Sequence, residues 1–143
     1  MSTQAAYRAA AVSLLEDYAA SAAVKLQVYP GRPRSIFAPT VFVDTISESF
    51  VYTGPTLRQR TPRVEVIVLH GLFDAKDTVD QKDAFVDGFL DWVNTRYHAA
   101  GAATLIAVVA TQDIPNYVPD WLPPEQQRVY FATSLTLEGF ATN

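Results

Sequence analysis

His70 and His98 are the only histidines of this 143-residue chain, and cysteine is absent. Any chemistry must therefore come from imidazole, carboxylate, hydroxyl or amine groups. Thiol catalysis, Cys-ligated zinc, iron–sulfur clusters and disulfide scaffolds drop out together. Asp74, Asp77, Asp80 and Asp83 follow His70 closely, so a site of imidazole plus carboxylates can be drawn there. No H-x-E, H-E-x-x-H or EF-hand spacing supports it. The run Val66–Gly71 ends in a His-Gly pair that looks like the strand-end turn helping to build the oxyanion hole of α/β-hydrolases. That chemistry also needs a G-x-S-x-G elbow, and Ser134, the one serine beyond Gly71, has no flanking glycines. His70 is thus read as a turn residue at a strand end with a satisfied hydrogen bond. The six glycines are scattered and form no phosphate-cradling loop. No catalytic residue, metal ligand or cofactor is assigned, and a small hydrolase or metal-dependent enzyme around His70 is kept only as an alternative.

The charges are laid out in blocks. Between Lys25 and Arg63, six Lys or Arg stand against Asp44 and Glu48, and between Asp74 and Asp91 six Asp stand against Lys76 and Lys82. Two unrelated solvated faces would explain this. So would a basic loop carrying Arg58, Arg60 and Arg63 that meets, on a neighbouring copy, an acidic helix carrying Asp80, Asp83, Asp87 and Asp91. Contact between unlike surfaces generates a ring when the rotation closes, and such charges steer association and fix register more than they add affinity.

These groups must be held by regular elements. Ser2 to about Ala23 has helical spacing, with Ala5, Ala9, Val12, Leu15 (or Leu14), Ala19 and Ala22 as an apolar stripe of small residues. Tyr29–Pro39, with three prolines, is a connector or an arm. From Val41 the period becomes two. Val41–Ile46, Phe50–Tyr52 and Val64–Leu69 read as two or three antiparallel strands, with a turn at Thr53–Thr56 and the arginine-bearing loop between them. Val79–His98 is an amphipathic helix with Phe85, Val86, Phe89, Leu90, Trp92, Val93 and Tyr97 on one arc and the Asp stripe on the other side. Ala99–Gly101 stops it. Ala102–Ala110 reads as a buried strand, Asp113–Pro124 as a proline-stiffened loop, and Val129–Leu137 as a last strand. Tyr117 and Trp121 in that loop suit an interface anchor and an intramolecular cover equally. The order predicts one α+β domain over 1–143: a mainly antiparallel sheet with an N-terminal helix and one long helix packed on it.

Composition bounds the partners. Apolar residues at 49% and charged residues at 18% suit a folding chain, and a net charge of −4 argues against a binder held by phosphate neutralisation. Glu16 and Asp17 interrupt what would otherwise resemble a secretory h-region in the first 24 residues, and Ala102–Ala110 is too short to span a bilayer.

The run Thr56–Gly71 followed by Asp83–Val93 resembles tail terminator proteins of long-tailed (siphovirus-type) phages, particularly those of actinobacteria. The resemblance extends from about Ala5 to the last strand and includes the element order. It implies a structural, non-enzymatic virion protein: a homohexameric ring that caps the tail tube, stops its polymerisation and docks on the head connector. The partners it implies are further copies of the chain, the major tail tube protein and the connector or stopper protein. DNA would pass through the lumen without specific binding, and no membrane is involved. The ring would be assembled in the host cytoplasm and reside at the head–tail junction. A stopper or tail-completion protein is the nearest alternative. The Asp stripe would then line either the lumen or a contact between subunits.

Overall fold

The computed structural model describes residues 3–37, 39–95 and 103–141. Its elements are α1 (Thr3–Ser21), β1 (Gln27–Tyr29), β2 (Thr40–Thr53), β3 (Thr56–Leu72), α2 (Thr78–Thr95), β4 (Ala103–Tyr117) and β5 (Tyr130–Ala141). They form one five-stranded sheet in the order β1-β2-β3-β5-β4. The short β1 runs parallel to β2, and every other pairing is antiparallel. The fold is α+β, as the alternation of periods predicts. Ser2, the helix stop Ala99–Gly101, Tyr97, His98 and Ala102 lie outside the described residues. Among those described, no helix is long and apolar enough to cross a membrane.

Pleating sends alternate residues to opposite faces of the sheet. Val41 and Val43 of β2, Val64, Val66 and Val68 of β3, and Leu135 and Leu137 of β5 share one face, where both helices pack. α2 brings Phe85, Phe89 and Val93 to this core. Tyr18 of α1 meets Phe85, Phe89 and Trp92 edge-on, with ring centroids 5.1–5.6 Å apart. The helices cross this closely because residue 88 is glycine. A Cβ there would lie 2.8 Å from the Tyr18 hydroxyl.

The core face of α1 is Tyr7, Ala11, Leu14, Leu15 and Tyr18, which corrects the expected alanine stripe; Ala9 and Ala22 are exposed. Alanine occurs all round this helix, so its spacing marks no face, and the larger side chains decide which one is buried. The helix ends with Ala23 at φ 54°. Val24 N–H bonds the Ala19 carbonyl and Ala23 N–H bonds that of Ala20, the paired bonds of a Schellman ending in which glycine is the usual left-handed residue.

The opposite face has its own small core of Phe42, Ile67, Leu69, Tyr130 and Ala132, covered by Tyr29, Ile36, Ile114, Tyr117 and Trp121. Trp121 packs against Phe42 at 5.4 Å, and its indole N–H donates to the Pro33 carbonyl at 2.8 Å. The two proline-rich connections are therefore fastened to the sheet and to each other.

The strands are longer than their apolar patterns suggest. β2 runs unbroken through Ser47–Ser49, and the expected arginine-bearing loop is instead the paired half of a hairpin: Phe50 lies opposite Arg60, and Ser47 opposite Arg63. Only Gly54 and Pro55 turn the chain. Gly54 at φ +59° supplies the positive φ that a tight hairpin needs. Likewise β4 continues through Asp113 to Tyr117, so the expected loop begins only afterwards. β4 is the outermost strand, and the described part of the run expected to be buried is only half-buried at Ala107 and Val108 and exposed at Val109 and Ala110; exposure continues to Asp113, and Pro115 is accommodated at this edge.

Two substitutions check this packing by urea unfolding. Phe89→Ala, at a side chain with 0% exposure, should cost about 3–5 kcal/mol. Ala23→Gly should stabilise by about 1 kcal/mol by relieving the left-handed alanine.

Candidate functional site

β2 and β3 outrun their neighbours. β1 pairs only with Thr40–Phe42 of β2, and β5 pairs with β3 from Arg63 to Leu72. Among the described residues, the segment from Glu48 through the turn to Pro62 is therefore a two-stranded arm. An isolated hairpin is marginal in water, and this one is braced at its root. The Glu48 carboxylate accepts from Arg60 Nε and Nη2, both at 2.9 Å, and from the Tyr7 hydroxyl at 3.0 Å. Those bonds from Arg60 hold the Glu48 carboxyl below its ordinary range against the opposing effect of its burial. The Tyr7 phenol is pushed up, first by burial and then by the same carboxylate. Arg60 also lies over the Phe50 ring at 5.8 Å. Two strands and α1 are thus tied at one point.

Beyond the brace the arm is bare. Phe50, Val51 and Tyr52 are about half exposed. Arg58 is exposed and makes no ion pair among the described residues. It is the extra residue where Val51 opposes Gln59 and Tyr52 opposes Leu57; such a bulge re-aims a side chain.

The three arginines expected to dock together therefore have separate tasks. Arg60 braces the hairpin. Arg63 pairs with Glu138 on β5 at 2.7 Å. Arg58 alone remains available to a partner. Asp80, Asp83, Asp87 and Asp91 do form the expected exposed stripe along α2. Asp83 pairs with Lys82, which also reaches Asp113 at 3.0 Å. Tyr117 and Trp121 are half-buried as intramolecular cover. Trp121 also carries Arg32 over its ring at 5.0 Å, and burial, reinforced by Asp44, pushes the Tyr117 phenol up to about 12.

His70 lies inside β3, at the residue where the register with β5 shifts. It is 3% exposed and stands edge-on to Phe85 at 5.6 Å. Its Nε2 is 2.9 Å from the Thr133 hydroxyl, which in turn faces Asp113 at 3.5 Å. Thr133 is fully buried, so these contacts link β3, β5 and β4 within the sheet. His70 also borders an apolar cleft of about 380 Å³ between the end of α1 and α2, walled by Tyr18, Val24, Ala84 and Phe85. Among the described residues, no group of three or more His, Asp or Glu is gathered to hold a metal ion.

Sequence reasoning missed Glu48 and Tyr7, which are far apart in the chain and carry no motif. It also passed over Phe50–Tyr52, although three large apolar residues just before a Gly-Pro turn are a readable signal.

Burial lowers the His70 pKa from 6.5 to about 4, with Lys82 adding to the effect. Between those values the unfolded chain binds the proton and the folded chain does not. The contribution to stability is complete above pH 6.5 and declines as pH falls toward 4, by up to about 3 kcal/mol. His70→Asn should remove this slope, read as the difference between wild type and variant in urea unfolding at pH 7 and pH 4.5; parallel losses would place His70 in water. No model of a known protein family matches the chain, and no curated protein does either.

Proposed function

We propose that the chain is a structural virion protein: a tail terminator whose copies form a homohexameric ring on the tail tube, end its polymerisation and join it to the head connector. The observation that carries this reading is the β2–β3 arm, held at its root by the part-buried Glu48 carboxylate and bare of cover at an aromatic tip. A rigid projection with an apolar end suits a protein that acts through contacts, because little ordering entropy is lost when it docks. The resemblance of Thr56–Gly71 and Asp83–Val93 to phage tail terminators supplies the particular assembly. Its place is the head–tail junction of the virion, with the tube protein and the connector or stopper protein as neighbours. The exposed Asp80, Asp87 and Asp91 would face either the lumen, where they repel DNA phosphates, or a neighbouring subunit.

Two measurements test the reading: light scattering with negative-stain imaging of the purified chain, and growth of tail tubes from the tube protein with the chain added. Rings of about six copies that halt tube growth are expected. A monomer at every concentration that leaves tube length unchanged would overturn the proposal. Asp80→Asn with Asp87→Asn should weaken the rings if the stripe is a subunit contact and leave them intact if it lines the lumen.

A further inference from the structure

Among the described residues, seven of the ten large apolar side chains left exposed lie at opposite ends of β3; the others are Phe37, Val109 and Val118. One end is the arm tip, where Phe50, Val51 and Tyr52 are 47%, 52% and 58% exposed. The other end lies roughly 50 Å away at the usual rise per residue of a strand. There Leu72, Phe73, Val79 and Val129 are 43%, 51%, 50% and 42% exposed. These four lie together at one end of β3, where β5 begins and α2 starts. Phe73 N–H bonds the Val129 carbonyl at 2.9 Å, and Leu72 pairs with Tyr130, the residue after Val129. The Thr78 hydroxyl donates to the Leu72 carbonyl at 2.9 Å, which places Val79 alongside.

The ends differ in charge. Arg58 is the one charged residue between Ser49 and Gln59. Around the far patch Asp74, Asp77 and Asp80 are exposed, and none of them is in an ion pair among the described residues. Lys76 is exposed there too, while Arg128 donates to the carbonyls of Glu125 and Gln127.

Taking the self-assembly proposed above as given, we infer that the arm tip of one copy seats on the Leu72–Phe73–Val79–Val129 patch of the next. Charge selects this pairing over its symmetric rivals. Tip against tip would bring Arg58 onto Arg58, and patch against patch would face two surfaces on each of which Asp74, Asp77 and Asp80 outnumber Lys76 and Arg128. Tip against patch covers apolar surface on both sides and sets the arginine among carboxylates. The two surfaces are unlike and lie at opposite ends of one strand, so the contact repeats from copy to copy and closes into a ring if the rotation permits. The brace at Glu48 fixes the direction in which each tip points.

Because the chain has no cysteine, single cysteines report the contact directly. Tyr52→Cys and Phe73→Cys are prepared separately, both at exposed positions, then mixed and oxidised, while light scattering follows the assembly state of each. Disulfide-linked dimers should form in the mixture and not in either variant alone. Cross-linking within one variant alone would show a symmetric contact and overturn the inference. Oligomers without any cross-link in the mixture would overturn it and leave the ring standing. A wild-type chain that stays monomeric at every concentration would overturn both.

Discussion

The strand hairpin at the centre of this molecule is longer than anything that flanks it, and the excess has to be supported. Inside the sheet, β3 pairs on both sides from Arg63 to Leu72, and β2 also meets β1 at Thr40–Phe42. Past Glu48 and Pro62 they have only each other. Backbone groups there are satisfied within the hairpin and by water, so its direction depends on side chains at its root. Glu48 supplies that support because one carboxylate accepts from Arg60 on the facing strand and from Tyr7 on α1. A charge so nearly buried is tolerated only when its lone pairs are filled, and here they are filled by the two elements that need to be joined.

The remainder of the molecule forms a stiff plate behind that arm. Helices seal one face of the sheet through Tyr18, Phe85 and Phe89. The other is closed by proline-rich segments latched by Trp121. Polar contacts tie elements together: the buried pair His70 and Thr133 joins β3 to β5 within the sheet, and at the surface Lys82 to Asp113 joins α2 to β4. Among the described residues, exposed apolar side chains remain at the two ends of β3, and Asp80, Asp87 and Asp91 of α2 stay exposed.

Much of the architecture was legible because period reports burial. The valine run into β3, the aromatic arc of α2 and the alternation of β5 each announce an element and its buried face. Where burial ceases, the pattern ceases too. The outer half of β2 reads as Ser-Glu-Ser and the outer half of β3 as Arg-Gln-Arg, and both look like loop although both are strand. The arm was therefore invisible as an arm. The site was legible only in part. Arg58 and the α2 aspartates are exposed as their spacing implied, whereas Arg60 and Arg63 are held at home by Glu48 and Glu138, partners 12 and 75 residues away.

The chain alone determined its α+β class, the faces of its most periodic elements, and the absence of cysteine thiol chemistry, since these follow from residue type and local spacing. Tertiary structure decided which face of α1 is buried, how far the hairpin projects, and which charges remain free to meet a partner. Those properties depend on contacts between residues distant in sequence, where size, reach and desolvation select the pairing and no local repeat records it.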